Sequence, residues 1–232
     1  MGDQVSMNTM GDLGGLRIEV ARQDPLLIPR LSLLYRFSKR FFDICGALLG
    51  LVFLLLILPI VAISICLDDR GPIFYRHIRV GMHGAPFYTY KLRSMRVDAD
   101  DYLRSHPQLL EEWRQRGKLH NDPRVTRVGR FLRRSSLDEL PQMWNVLRGE
   151  MSLVGPRAIQ FSEIAAFGEY FPLRQLARPG LTGLWQISGR STNSYEQRCQ
   201  LDCTYVLKRS FWLDISIIVK TVPVLFRGVG AY

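Results

Sequence analysis

Zinc-binding patterns are missing from this chain. Its four cysteines (Cys45, Cys66, Cys199, Cys203) form no CxxC pair, and its four histidines (His77, His83, His106, His120) form no HxxxH or HExxH. A structural zinc site is therefore not expected. Nucleotide fingerprints are missing too: neither GxxxxGKS/T nor GxGxxG occurs, so neither a P-loop nor a Rossmann site is supported. No internal repeat or low-complexity tract stands out. Acidic residues are in short supply: 21 Asp and Glu face 31 Lys and Arg, a formal net charge of +10. Such an excess favours an anionic partner, whether nucleic acid, an anionic lipid surface or a phosphorylated substrate. Cys199 and Cys203 stand four apart, which suits one helix face, and reduced thiols in a cytoplasmic domain are expected.

Hydrophobic residues make up 47% of the chain, an ordinary globular share, but they are unevenly spread. Ile44 to Leu67 reads ICGALLGLVFLLLILPIVAISICL and contains no charge. At about 1.5 Å per residue such a helix could cross a hydrocarbon core of about 30 Å. It starts too late for a signal peptide and has no obvious cleavage site. It is apolar on every face, unlike most core helices. Pro59 falls inside it, and a helix-interior proline removes a donor and clashes with the preceding turn. Basic residues flank both ends: Arg36, Lys39 and Arg40 before, Arg70, Arg76 and Arg79 after. Positive charge prefers the cytoplasmic side. A re-entrant helix–break–helix, broken at Pro59, keeps both clusters there and is favoured; a kinked spanning helix is the alternative.

The fold class expected is α+β, mainly helical: a re-entrant membrane helix plus a cytoplasmic domain with a small β-hairpin and interfacial amphipathic helices. Residues 1–30 read as a flexible arm. Residues 31–70 form the interfacial and re-entrant part, and 71–232 the cytoplasmic catalytic domain. Ile73–Tyr75 and Phe87–Tyr90, separated by Gly81, Gly84 and Pro86, predict a hairpin. Asp98 to Arg116 is helix-permissive, and a short basic helix is predicted over Arg127–Arg134. Pro141 is tolerated only in a first turn, so a helix is predicted from Leu137 through Leu147. Leu184–Ile187 reads as a short strand, Tyr195–Lys208 as a helix, and Asp214–Phe226 as a helix at the bilayer interface or on the anchor.

The chemistry centres on Asp138 and Glu139, an acidic pair in a basic stretch, Arg133-Arg134-Ser135-Ser136-Leu137-Asp138-Glu139-Leu140-Pro141-Gln142. Ser136 through Glu139 also matches a capping box. A helix N-terminus that favours anions can hold carboxylates, a metal and a phosphate together, so both readings can hold at once. A carboxylate can also serve as a nucleophile toward phosphorus. Lys91 and Arg93, two apart in an extended chain, share a face as a phosphate clamp requires, though two solvated charges read the same way. Arg157 follows a Gly155-Pro156 turn that can aim its guanidinium inward. Gln142, and Trp185 and Arg190 in the glycine-punctuated stretch Pro179 to Arg190, are further candidate substrate contacts. That stretch also reads as a turn-rich connector. Arg124, Arg127, Arg130, Arg133 and Arg134 read as a solvated face or as contacts to headgroups or phosphates.

The segments SSLDELPQMWNVLRGEMSLVGPR and RPGLTGLWQISGR resemble bacterial sugar transferases of the monotopic phosphoglycosyl transferase family, the priming enzymes of exopolysaccharide and glycan assembly. The resemblance runs from about Lys39 to the end. It is strongest to the short galactosyl- or glucosyl-phosphate transferases. Longer relatives carry an N-terminal bundle of transmembrane helices, and none is expected in this chain. The resemblance implies transfer of a sugar 1-phosphate from a UDP-sugar to undecaprenyl phosphate, with release of UMP. It implies Asp138 as the nucleophile of a phosphosugar–enzyme intermediate and Glu139 as its partner near a Mg²⁺ ion. Both carboxylates are thereby candidate metal ligands. It also implies Lys91 and Arg157 at the phosphate site, and a helix break at Pro59.

The implied location is the bacterial inner (cytoplasmic) membrane, with the catalytic domain on the cytoplasmic face. Membrane lipids are expected partners and nucleic acid is not. A homodimer through the cytoplasmic face is compatible with these readings. Two positions depart from the family pattern: Leu58 replaces a serine before the proline, and Ala158 replaces the last proline of VGPRP. Two other functions compete with this one. A non-catalytic polybasic adaptor on anionic membranes would be indifferent to Asp138→Asn. A lipid-linked glycosyltransferase would release UDP.

Overall fold

The computed structural model describes residues 31–116, 119, 121–189 and 194–227. The arm expected over residues 1–30 and the candidate Arg190 lie outside them. Helix α1 (Leu33–Asp68) leads into strands β1 (Phe74–Val80) and β2 (Pro86–Leu92), then helices α2 (Ala99–Arg104), α3 (Pro107–Arg116) and α4 (Arg127–Arg134). A 3₁₀ turn (Leu137–Gln142) precedes α5 (Met143–Arg148) and β3 (Ser152–Val154). Short helices α6 (Ile164–Phe167) and α7 (Phe171–Arg174) follow. Strand β4 (Gly180–Thr182), the helical turn α8 (Leu184–Ile187), α9 (Tyr195–Lys208) and α10 (Phe211–Arg227) complete the order. β1 and β2 form the expected antiparallel hairpin, with Tyr75 opposite Lys91. β3 and β4 pair in parallel.

α1 begins at Ser32, whose Oγ accepts the Tyr35 N–H at 3.1 Å as an N-cap. It then runs for 36 residues. Pro59, where a break is expected, lies inside this helical run. Packing explains this. Asp43, Ala47, Leu54 and Ile65 are buried on one face, and Leu51, Leu58 and Val61 join Leu54 and Ile65 in a cluster with Leu92 and Leu132. That face rests on the domain on both sides of the proline. Burying each such side chain contributes roughly 1.5–3 kcal/mol, enough together to offset the ~3 kcal/mol cost of the proline. Only 11% of the most apolar stretch of α1 is buried inside the protein, unlike the mostly buried core helix of a soluble domain. Leu49, Leu55, Leu56, Ile60, Ile63 and Leu67 are exposed.

Both ends of α1 are tied to the same domain. At the N-terminal end the Arg40 guanidinium donates to Val146 O and Leu147 O, each at 2.7 Å. These are carbonyls of the last turn of α5, where a cation is favoured. Asp43 Oδ1 accepts from Ser152 Oγ at 3.0 Å and Leu153 N at 2.9 Å. At the C-terminal end Asp68 Oδ2 accepts the Val128 N–H at 2.8 Å, and Asp69 Oδ2 accepts the Val97 N–H at 2.8 Å. On the other side of the domain, Val154, Leu173, Cys203, Tyr205, Val206 and Ile217 form a core between β3, α7, α9 and α10.

Two local predictions are corrected. The helix expected over Leu137–Leu147 is split, because Pro141 supplies no N–H and the first turn tightens into a 3₁₀ turn before α5 begins. Leu184–Ile187 is a helical turn rather than a strand, since a run of four apolar and amide residues carries no decisive period.

Candidate active site

The acidic pair lies on the 3₁₀ turn, and the turn aims the two carboxylates differently. Ser136 adopts a left-handed conformation (φ 55°) and its side chain makes no cap hydrogen bond. The capping box expected there is absent because Glu139 turns away from Ser136 toward the hairpin. Lys91 Nζ donates to Glu139 Oε1 at 2.6 Å and lies 3.9 Å from Asp138 Oδ2. Asp138 is 7% exposed, whereas the Glu139 side chain is 43% exposed.

Lys91 reaches this position because β2 is fastened to α5. Asn145, fully buried, accepts the Tyr90 N–H at 3.3 Å through Oδ1. Its Nδ2 donates to Tyr88 O at 2.6 Å and to Glu150 Oε2 at 2.7 Å. One side chain therefore fixes the strand carrying Lys91 against the helix that follows the carboxylates. Arg133, on the inward side of α4, donates from Nε to Ser94 Oγ at 2.9 Å and sets its charge toward Asp138.

Burial pushes the Asp138 carboxyl up to about 6; Lys91 and Arg133 pull it back, and Glu139 adds to the rise. Surrounding protein works to raise Glu139 even though part of its side chain reaches solvent, but the charge and hydrogen bond of Lys91, with Arg157 and Arg79 behind them, hold that carboxyl below its usual range. The pair is thus differentiated: one carboxyl titrates near neutrality, and its neighbour stays ionised beside an ammonium. Burial pushes Arg79 down, with the Arg157 charge adding to the shift. Arg79 contacts Glu163 at 3.6 Å.

Arg157 is set by two loops that close on each other. Gly155 N donates to Thr182 O at 2.9 Å and Gly180 N to Pro156 O at 2.7 Å. A Cβ at Gly155 would overlap Arg178 O, and one at Gly180 would overlap Gly155 N. The glycines permit this approach of backbones, and a nucleotide contact is not needed to explain them. Beyond the turn, Asp202 pairs with Arg174 Nε at 3.1 Å, and the Arg157 charge acts on its carboxyl. The Arg157 guanidinium stacks on Trp185 at 5.5 Å from the ring centroid, and Arg198 stacks on it at 5.3 Å.

The structure brings Lys91 against Asp138 and Glu139 and sets the Arg157 charge where it acts on Glu139. It sends Arg93 elsewhere: Arg93 donates to Asp69 Oδ2 at 3.2 Å and to Asp69 O, gripping the end of α1. Trp185 is buried beside two guanidiniums, which argues for holding Arg157 over stacking on a base. Gln142 is buried at the end of the 3₁₀ turn. Sequence reasoning did not single out Asn145, Arg79, Arg198 or Asp202. The one local hint was a lone amide in the apolar run Met143–Leu147. Among the described residues no group of three or more His, Cys, Asp or Glu could hold a metal alone. A Mg²⁺ ion is commonly held by one or two carboxylates plus water and substrate phosphate oxygens, and Asp138 with Glu139 is a donor set of that kind.

The chain matches the family described as bacterial sugar transferase over residues 34–228. It is 47% identical over 201 residues to the UDP-galactose-lipid carrier transferase of Erwinia amylovora, covering 85% of this chain and 42% of that protein. It is 43% identical over 201 residues to the undecaprenyl-phosphate galactose phosphotransferase of Salmonella typhimurium, covering 85% of this chain and 42% of that protein. With the exopolysaccharide production protein ExoY of Sinorhizobium fredii it shares 43% identity over 199 residues, covering 84% of this chain and 88% of that protein. The chain thus spans less than half the length of the first two relatives and most of the third.

Proposed function

The chain belongs to the bacterial sugar transferase family, and from that premise we propose that it transfers a sugar 1-phosphate from a UDP-sugar to undecaprenyl phosphate. The products are undecaprenyl-diphosphate-sugar and UMP, and the step primes exopolysaccharide assembly. The observation that carries this reading is the buried Asp138 carboxylate beside the Lys91–Glu139 pair, faced by Arg133 and approached by Arg157.

A diphosphate entering this site meets cationic charge on several sides. Lys91 and Arg157 bind its oxygens and disperse charge as the transition state forms. An Asp138 Oδ attacks the sugar-bearing phosphorus. The bond from that phosphorus to the bridging oxygen breaks, and UMP leaves with the electron pair. A phosphosugar joined to Asp138 through an acyl-phosphate bond remains. An oxygen of undecaprenyl phosphate then attacks the same phosphorus, and the Asp138 carboxylate is released. When bound at Asp138 and Glu139, Mg²⁺ would supply further charge neutralisation. Glu139, held ionised by Lys91, orients that ammonium through Oε1 and keeps Oε2 available.

The lipid acceptor calls for a site at a membrane. We assign α1 as a re-entrant element in the inner membrane, with the domain on the cytoplasmic face. Supporting this, Arg40 and Asp43 near one end and Asp68 and Asp69 at the other all bond to the same domain. A helix spanning the bilayer would place one of those sets on the far side. Mass spectrometry of the protein quenched during turnover with UDP-sugar tests the covalent step. A hexose-phosphate adduct is expected on the peptide containing Asp138, and it should be absent from Asp138→Asn. An adduct on another residue would overturn the assignment.

A further inference from the structure

We propose that the outward face of α4 is a docking surface for anionic phospholipid headgroups, with Arg127, Arg130 and Arg134 as headgroup ligands and Phe131 seated at the acyl boundary. The proposal goes beyond the reaction: it rests on α1 being in a bilayer, not on what Asp138 does. α4 is two-faced. Its inner residues Val128 and Leu132 pack into the cluster built around Leu54, Leu58, Val61 and Ile65 of α1, and Val128 N donates to Asp68 at 2.8 Å. The helix is therefore fixed against the apolar element. Residues 127, 130, 131 and 134 are three or four positions apart, so they share the opposite side. All four are exposed, Phe131 by 62%.

Charge is concentrated on this face. Arg93, Arg124 and Arg174, all buried, are each paired with an aspartate, at 3.2 Å, 2.7 Å and 3.1 Å. Among the described residues Arg127, Arg130 and Arg134 have no acidic partner within ion-pair distance. Three uncompensated guanidiniums around one exposed phenyl ring complement a surface of phosphate above hydrocarbon. The other helices packed on α1 also present exposed aromatics, Trp144 on α5 (47%) and Trp212 on α10 (77%). Aromatic side chains of that kind sit at headgroup level. A nucleic-acid phosphate backbone would satisfy the arginines but leave Phe131 and the adjoining apolar face of α1 in water. α4 also reaches the site: Arg133 points inward toward Asp138, and the chain continues from Arg134 through Ser135 and Ser136 to the carboxylates.

Native mass spectrometry of the full chain in detergent, titrated with phosphatidylglycerol and phosphatidylcholine, tests the proposal. The unmodified protein should retain phosphatidylglycerol at least tenfold better. Each guanidinium near an anionic surface is worth about fivefold at low salt. The Arg127→Gln/Arg130→Gln/Arg134→Gln variant should lose that preference and still bind phosphatidylcholine. A control with the same charge change on other exposed arginines, Arg104→Gln/Arg114→Gln/Arg148→Gln, should keep it. Loss in both variants would mean bulk charge rather than a surface, and retention in the α4 variant would sink the proposal. Displacement of phosphatidylglycerol by a single-stranded oligonucleotide would reassign the face to nucleic acid. Adduct formation on Asp138 is scored separately, so failure of either claim leaves the other standing.

Discussion

Lys91 Nζ lies 2.6 Å from Glu139 Oε1 but 3.9 Å from Asp138 Oδ2, so the ammonium is committed to the second carboxylate and acts on the first only through its field. Lys91→Met should lower kcat/KM by roughly 10²–10³, the scale of losing one charge-stabilising group. It should also move the acid limb of the pH–rate profile upward, because Lys91 now draws the Asp138 carboxyl down against burial. A profile with an unmoved acid limb would contradict the assigned role of that field.

The raised Asp138 carboxyl predicts a pH-dependent stability. Its folded value of about 6 exceeds the ordinary 3.8, so the native state retains a proton that the unfolded chain has lost between those values. Stability is therefore fully present below about pH 4 and falls as pH rises through about 6. The ionised form costs on the order of 3 kcal/mol above that. In chelating buffer, Asp138→Asn should raise Tm at pH 8 and leave it nearly unchanged at pH 4. Asp202, pushed up to about 6 by burial, acts in the same direction in both proteins and cancels from the comparison.

Asn145→Ala removes three hydrogen bonds from a fully buried position. It should cost roughly 2–4 kcal/mol, since the Tyr90 N–H and Tyr88 O are left without partners. Urea unfolding measures this, and a change below 0.5 kcal/mol would show that the side chain does not fasten the strand.

Trp185→Leu removes the ring shared by Arg157 and Arg198. The release of Arg157 should raise KM for UDP-sugar by about 3- to 30-fold, the scale of one such contact, with a smaller change in kcat. Trp185→Phe should restore part of the loss. Equal effects of Leu and Phe would mean that bulk alone matters.

Much of the molecule is legible from its sequence where the signal is local. The hairpin follows from β-prone runs around Gly81, Gly84 and Pro86. α9 begins at Tyr195 because Ser194 and Gln197 form a reciprocal capping box. The acidic pair, Lys91 and Arg157 stand out as charges in distinctive surroundings. What the sequence hides is set by distant partners. Asn145 gains its role only when β2, 55 positions upstream, packs beside it. Arg93 does not share the orientation of Lys91 because β2 ends at Leu92, where the two-residue alternation ceases and the chain turns toward Asp69. Pro59 marks where α1 can bend, and the helical run, packed on both sides of it, contains that residue.

Nucleotide release from a panel of UDP-sugars, with undecaprenyl phosphate and Mg²⁺, tests the central claim most directly when native protein is compared with Asp138→Asn. The account predicts UMP from at least one sugar and loss of that release in the variant. UDP as the product, or equal release by Asp138→Asn, would contradict it.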